Sequence, residues 1–404
     1  MDPRRGAAAR AKLATVIVGS RSRRPCPRCC GVTSARTIAG RQCVLRAVAG
    51  RVEVLDLVRG AHKMGTARSH RRSRVPTHRA GPTLMTVVER LALPFLRASG
   101  WSRRYVSTRA GRLHVLELEG QGKLPPVVLL HGITSNGVTL AGLAKKLAPF
   151  VSRVIAPDLP AHGFSSIPSD GLTPRSMTEG AFDLLDRVVS GPMLLVGNSM
   201  GGLVATRYAA ARPNRVAGLA LVSPGGAPMA EADFQRFLDT FRIQTYAQAL
   251  HFVDLVFAKP PPLIRHFIAR GVMSRFQHPS LRHFLDSTGS EDLLRVEEVA
   301  GLQVPTLFIW GHEERVLRPE HLRFWSSTLP THAQQERWLG FGHIGIHEQE
   351  ARLAGRLGSW AAEAVAARGA HIAHSDPAAS TQARVACAPV LRITPQAGTL
   401  AASA

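Results

Sequence analysis

A serine attacks a carbonyl carbon only if a base takes its proton, a carboxylate steadies that base, and hydrogen-bond donors receive the oxyanion that forms. Residues of those types follow one another along this chain. Ser199 lies inside Gly197-Asn198-Ser199-Met200-Gly201, Glu313 and Glu314 lie in "WGHEERV" (310–316), and His343 lies in "GFGHIGIHE" (340–348). A G-x-S-x-G pentapeptide carries little information alone, and its surroundings supply the rest. The apolar run "MLLVG" leads in as a strand, and a helical pattern leads out from Met200. Such a junction lifts the hydroxyl clear of a sheet and needs small flanking residues, here Gly197 and Gly201. It also aims the free N–H groups and positive dipole end of the new helix at a developing oxyanion.

The elements that must position these groups alternate in type. "RLHVLELEG" (112–120), "PPVVLLHG" (125–132), "SRVIAPDLP" (152–160), "PMLLVGNS" (192–199) and "VAGLALVSPGG" (216–226) read as strands, and helical patterns fall between the later ones. Thr173 and Pro174 mark one helix start. This rhythm predicts a parallel sheet with helices on both faces. It stops between about 226 and 302, where helical patterns run on and eight of the fifteen phenylalanines fall between Phe234 and Phe284. An all-helical insert of that kind is expected to form a lid over the sheet. Strand and helix then resume with "VPTLFIWG", "RPEHLRFWSSTLP", "AQQERWLGFGH" and a long helix from His347.

With 404 residues and 45% hydrophobic content, the chain can bury a sizeable core. Its charge of +23 is uneven, because +16 of it falls in residues 1–84, which hold 19 Lys and Arg and only Asp2, Glu53 and Asp56 as acids. That segment has no aromatic residue to stack on a base, which argues against a nucleic-acid partner. It shows no sustained period of 2 or 3.6 and is expected to be a basic, disordered or artefactual extension, although an Arg-rich, acid-poor leader also resembles an organelle transit peptide. Four of the five cysteines (Cys26, Cys29, Cys30 and Cys43) lie in it without the second half of a zinc site, so no metal is expected. A fresh start into an amphipathic helix follows at Met85, and the Ala/Ser/Thr/Pro-rich tail from 369 to 404 is expected to be disordered. The chain has no run of 18 apolar residues, so no transmembrane segment is expected. A cytoplasmic location is expected from a cysteine-free domain without a secretory leader.

The stretch from about 104 to 368 resembles the α/β-hydrolase family, with several motifs in that family's order. His131-Gly132 ends the second buried strand, where the family carries its oxyanion loop. The resemblance implies that the backbone N–H groups of Ile133 and Met200 are the oxyanion donors. "PDLPAHGFSS" (157–166) is similar to the family's D-x-P-x-x-G-x-S loop, with Asp158, Gly163 and Ser165 in place. The implied fold is a mostly parallel central sheet with helices on both faces and an inserted helical lid, in a domain spanning 85–368. The implied roles are Ser199 as nucleophile, His343 as base and an acid that orients it. Counting from Gly311 puts the acid at Glu314, where the family more often has aspartate. Glu313 is its neighbour and rival, and Glu231 or Asp233 would serve if the acid followed the preceding strand. His131 is expected to be structural, and His162, His312 and His347 to be loop or surface residues.

A serine at this position disfavours the dehalogenases and epoxide hydrolases of the family, which use aspartate there. Hydrolysis of a small-molecule carboxylic ester is the expected reaction. "GNSMGG" also resembles the carbon–carbon bond hydrolases, but His131-Gly132-Ile133-Thr134-Ser135-Asn136-Gly137 departs from their H-G-G-x-G-P-G. A non-catalytic small-molecule receptor on the same fold is a third reading. The apolar lid suits an uncharged ester, whereas the lid arginines (236, 242, 265, 270, 275 and 282) suit a carboxylate. No dinucleotide fingerprint, phosphate loop or ligand cluster occurs in the domain, and no cofactor is expected. If the count from Gly311 is right, Glu314→Gln slows ester hydrolysis far more than Glu313→Gln does. The reverse ranking in a side-by-side kcat comparison would move the acid by one position.

Overall fold

The computed structural model describes residues 34–38, 41–48, 51–56 and 84–375, and the chain divides into two units at Ser73 and Arg74. In the first unit β1 (Ser34–Ile38), β2 (Arg41–Val48) and β3 (Arg51–Asp56) pair antiparallel in that order. No regular element is expected there from sequence, because an alternation such as Val52-Glu53-Val54 is too short to stand out. The expectations for the rest of 1–83 and for 376–404 lie outside the described residues.

The second unit opens with α1 (Leu84–Ala98) and builds an eight-stranded sheet. Its strands are β4 (Trp101–Thr108), β5 (Gly111–Glu119), β6 (Val127–Leu130), β7 (Arg153–Pro157), β8 (Met193–Ser199), β9 (Val216–Pro224), β10 (Thr306–Gly311) and β11 (Gln334–Trp338). In space they run β4-β5-β7-β6-β8-β9-β10-β11. The sheet is parallel from β7 to β11, and β5 lies antiparallel to both its neighbours.

The short apolar runs become central strands because both of their faces are covered. Val128, Leu130, Leu195, Leu221 and Phe308 pack with Leu184 and Leu185 of α3 (Pro174–Val188) and Val204 and Tyr208 of α4 (Met200–Ala211). The alternate residues Val127, Leu129, Leu194, Val196, Leu307 and Ile309 pack with Leu143 and Leu147 of α2 (Ala141–Leu147) and with Leu353, Leu357 and Trp360 of the last helix. Burial at about 1.5–3 kcal/mol per large apolar side chain makes these two layers the main source of stability. Thr173 caps α3 through the Ser176 N–H, with Pro174 at its first position.

The insert forms a third apolar cluster from α5 (Glu231–Asp239), α6 (Tyr246–Val256), α7 (Arg265–Phe276) and α8 (Pro279–Asp286). Phe234, Phe241, Phe252 and Phe276 are buried in it, and the Phe252 and Phe276 rings meet edge to face at 5.2 Å. Between 226 and 302 the buried residues of this cluster end at Leu293. Leu294, Leu302 and Val299 of α9 (Val296–Ala300) join the sheet's own core instead. α10 (Pro319–Thr328), the short α11 (Gly345–Glu348) and α12 (Glu350–Ser375) complete the unit, and α12 runs past the boundary expected at 368.

The chain leaves β6 to pair β7 on one side and returns to pair β8 on the other, which opens a crevice at the carboxyl ends of these strands. His131, Asp158, Ser199, Glu314 and His343 all lie at that edge or in the loops leaving it. Trp360, 2% exposed, anchors α12 across the sheet. Trp360→Ala should cost about 3–5 kcal/mol in urea unfolding while sparing turnover per folded molecule. A loss below about 1 kcal/mol would show that α12 does not cover that face.

Candidate active site

Ser199 ends β8 and precedes α4 with φ 53° and ψ −119°, in backbone space that L-residues rarely occupy. Glycines make the turn possible. A Cβ at Gly197 would meet the Gly202 Cα at 2.7 Å, and one at Gly201 would run into the carbonyl oxygens of Leu130 and His131. Gly225 N–H donates to the Ser199 carbonyl at 2.9 Å, and the side chain is 7% exposed. Met200 is the first residue of α4, so its N–H has no partner within the helix. Gly132 lies close by, since a Cβ there would stand 3.2 Å from that of Ser199.

A continuous hydrogen-bonded line starts at this serine. Ser199 Oγ lies 3.0 Å from His343 Nε2, and His343 Nδ1 lies 2.8 Å from Glu314 Oε2. A carboxylate only accepts, so Nδ1 carries the proton and Nε2 is free to receive one from Ser199. The other Glu314 oxygen accepts the N–H groups of Val316 and Leu317, both at 2.9 Å. Burial pushes the Glu314 carboxyl up, but the charge and hydrogen bond of His343 and the Leu317 N–H outweigh it and hold the group below its ordinary value. Glu313 turns away and accepts the Phe341 N–H at 2.9 Å. Glu231 and Asp233 sit in the first turn of α5, engaged with Gln235 and Arg236.

The loops around this line are tied by buried polar groups. Asn198, a residue that sequence reasoning passed over as the variable position of the pentapeptide, donates to the carbonyls of Val222 (2.9 Å) and His343 (3.2 Å). Asp158 is fully buried and accepts Gly137 N–H at 2.6 Å, Phe164 N–H at 2.8 Å and His114 Nδ1 at 3.0 Å. His131 accepts the Leu159 N–H at Nε2 (3.0 Å) and donates from Nδ1 to the Gly132 carbonyl (2.8 Å). Burial pulls its imidazolium pKa down. His162 lies in a loop, as expected, but not at the surface. It donates to the Pro160 carbonyl, and burial followed by the nearby His131 pulls it down to about 3. His312 is exposed, whereas His347 is half-buried and pulled down to about 4 by desolvation.

The insert presses on the same loops. Ile133, Val316 and Ile344, which lie beside Gly132, near Glu314 and beside His343, belong to its apolar cluster. Ile344 N–H donates to the Val256 carbonyl at 3.1 Å. Arg275 of α7 donates to the Thr134 carbonyl and to Glu89 of α1, two further residues whose part is hidden in the sequence. Other insert arginines are also matched by the chain's own acids: Arg236 by Asp233, Arg242 by Asp239 and Arg265 by Asp254. Among the described residues, no helix is long and apolar enough to cross a membrane, and no group of three or more His, Cys, Asp or Glu is placed to hold a metal ion.

Comparison with known proteins agrees with this architecture. Residues 125–256 match the family model for the alpha/beta hydrolase fold. The chain is similar to Lipase 1 of Psychrobacter immobilis, at 26% identity over 234 residues covering 55% of this chain and 72% of that one. It is also similar to the 2-hydroxymuconate semialdehyde hydrolase of Pseudomonas sp. (strain CF600), at 28% identity over 260 residues covering 60% and 88%. The crystal structure of naproxen esterase (carboxylesterase NP) from Bacillus subtilis superimposes with a TM-score of 0.55 at 23% identity, covering 67% of this chain and 96% of that one. The chain has the α/β-hydrolase fold.

The lowered Glu314 value has a consequence for stability. A carboxyl whose folded-state pKa lies below its unfolded value stabilises the fold above the unfolded value and loses that contribution as pH falls through the folded one. The unfolding free energy of the wild-type protein should therefore fall relative to that of Glu314→Gln as pH drops below about 5, as read by urea titration. Parallel curves over that range would show that the Glu314–His343 contact is not formed in solution.

Proposed function

We propose that the protein is a serine hydrolase that cleaves a carboxylic ester of a small or lipid-like apolar substrate through Ser199, His343 and Glu314. Ser199 Oγ attacks the ester carbonyl while its proton passes to His343 Nε2, and Glu314 stabilises the imidazolium that results. The negative charge on the carbonyl oxygen is received by the N–H groups of Ile133 and Met200. His343 then hands its proton to the departing alcohol, leaving an acyl group on Ser199. Water, deprotonated by His343, cleaves that acyl-enzyme and restores the serine. The observation that carries this reading is the unbroken line from Ser199 through His343 to Glu314, at 3.0 and 2.8 Å.

The substrate class follows from the insert. Its interior is apolar, and four of its six arginines, Arg236, Arg242, Arg265 and Arg275, are already paired with carboxylates of the chain, which supports an uncharged ester. Similarity to a lipase and to the fold of an esterase supports the same reading. Carbon–carbon bond hydrolysis is the second reading, favoured by "GNSMGG" and by likeness to the semialdehyde hydrolase. A substrate carrying a free carboxylate would have to draw on Arg270 or Arg282, the two of the six lid arginines without a carboxylate partner among the described residues.

The test is hydrolysis of p-nitrophenyl butyrate and p-nitrophenyl laurate by the full chain beside Ser199→Ala. The variant should lose about 10⁴-fold or more in kcat while keeping nearly the same melting temperature. Undiminished turnover by Ser199→Ala, or no turnover by the wild type together with no labelling of Ser199 by a fluorophosphonate, would overturn the proposal. Turnover of a 2-hydroxy-6-oxodienoate well above that of either ester would favour the second reading.

A further inference from the structure

Three separated parts of the chain meet at one buried carboxylate beside the loop that follows β6. Glu89 of α1 is 4% exposed, although Val87, Val88 and Arg90 around it on the helix are exposed. Its Oε1 accepts Asn136 Nδ2 at 2.6 Å and also accepts Nη2 of Arg275, which comes from α7 of the lid. The other end of that guanidinium, Nη1, donates to the carbonyl of Thr134.

Thr134 is an unusual residue to find there. Ser135 N–H donates to the Gly132 carbonyl at 3.2 Å, which closes a turn over residues 132–135 with Thr134 in its third position at φ 63°. Turns with a left-handed third residue take glycine or asparagine, because a β-branched side chain collides with its own backbone there. Something outside the turn must hold it. Arg275 grips the carbonyl at the strained residue, and Glu89 fixes the guanidinium plane, whose rigid fork sets the spacing between the two acceptors. The opposite end of the turn is held by His131 Nδ1 on the Gly132 carbonyl. That carbonyl shares a planar peptide unit with the Ile133 N–H, so the turn's shape sets where this N–H points.

We propose that Arg275 and Glu89 are positioning residues that prop the 132–135 turn in its strained form and thereby align the Ile133 N–H with the oxyanion. The inference rests on the reading of Ile133 as an oxyanion donor to a substrate attacked by Ser199. It makes the lid part of the catalytic alignment, because the prop exists only while α7 is seated against the loop.

The test uses p-nitrophenyl butyrate and the full chain. Arg275→Gln should lower kcat by about 10- to 100-fold with KM changed less than about threefold, since misplacing a donor acts on the transition state. Affinity for a trifluoromethyl ketone, whose adduct carries the oxyanion, should fall by the same factor. Glu89→Gln, nearly isosteric, should lose about tenfold by the same pattern, and the double variant should lose little more than Arg275→Gln alone. Replacing Thr134 by glycine removes the need for a prop, so Arg275→Gln/Thr134→Gly should recover most of the lost kcat. A role confined to holding the lid in place would show no such recovery. The proposal fails if Arg275→Gln and Glu89→Gln keep kcat within about twofold of wild type, if the loss is confined to KM, or if glycine at 134 recovers nothing. Should Arg275→Gln not fold, Glu89→Gln and its combination with Thr134→Gly decide by the same criteria. Ser199→Ala, run alongside, separates the two levels: if it retains full turnover the enzyme reading itself is wrong, whereas a dead Ser199→Ala beside an unaffected Arg275→Gln sinks only the prop.

Discussion

A residue with a side chain, held in left-handed backbone space at the end of a fully buried strand, sets the terms for everything around Ser199. Such a conformation costs about 1–3 kcal/mol and persists only where its surroundings over-determine it. Here they do so from several directions. β8 is flanked by β6 and β9 up to the turn, α4 begins at the next residue, and Gly225 takes the Ser199 carbonyl. The two apolar layers on either face of the sheet are large enough to offset a local strain of this size. The same crowding explains why neighbouring chain is glycine where it crosses the turn, at 197 and 201.

Charge is handled by a second rule, that a carboxylate taken out of water must collect donors. Glu314, Asp158 and Glu89 each collect two or more, and in every case some of those donors belong to loops at the crevice. Hydrogen bonds to charged groups are worth about 1.5–3 kcal/mol each, so two or three of them decide the conformation of a short loop. The buried histidines follow the opposite course. His131 and His162 are kept neutral by desolvation; His131 bridges the Leu159 N–H and the Gly132 carbonyl, and His162 donates to the Pro160 carbonyl.

The sheet was legible in the sequence because strands covered on both faces read as unbroken apolar runs, as in "VVLL" and "MLLVG". Ser199, Glu314 and His343, which the structure brings into one hydrogen-bonded line, could be singled out because the proposed chemistry constrains residue type and order. The end of the insert was not legible, since Leu294, Val299 and Leu302 have the same apolar, helical spacing as the residues before them and differ only in which core they join. Among the lid arginines, Arg236 pairs with Asp233 three residues before it along α5, a spacing that already signals pairing, whereas Arg242 pairs with Asp239 from beyond the end of that helix. Glu89 and Arg275 lie 186 residues apart, and no periodicity or motif links them. Asn198 was hidden for a different reason, because the pentapeptide pattern treats its position as free.

That asparagine changes how the molecule can tolerate variation over generations. Its amide nitrogen reaches the His343 backbone across 145 positions of chain, so part of the spacing between Ser199 and His343 is gauged from inside the sheet. The insert takes no part in that bond, although Val256 at the end of α6 accepts the N–H of Ile344 beside it. The loop after β6 draws on the insert as well, because one of its supports arrives on α7. A descendant that exchanges its insert to accept a new ligand keeps the Asn198 tie from inside the sheet, whereas the Val256 contact beside His343 and the outer support of the β6 loop must be found again.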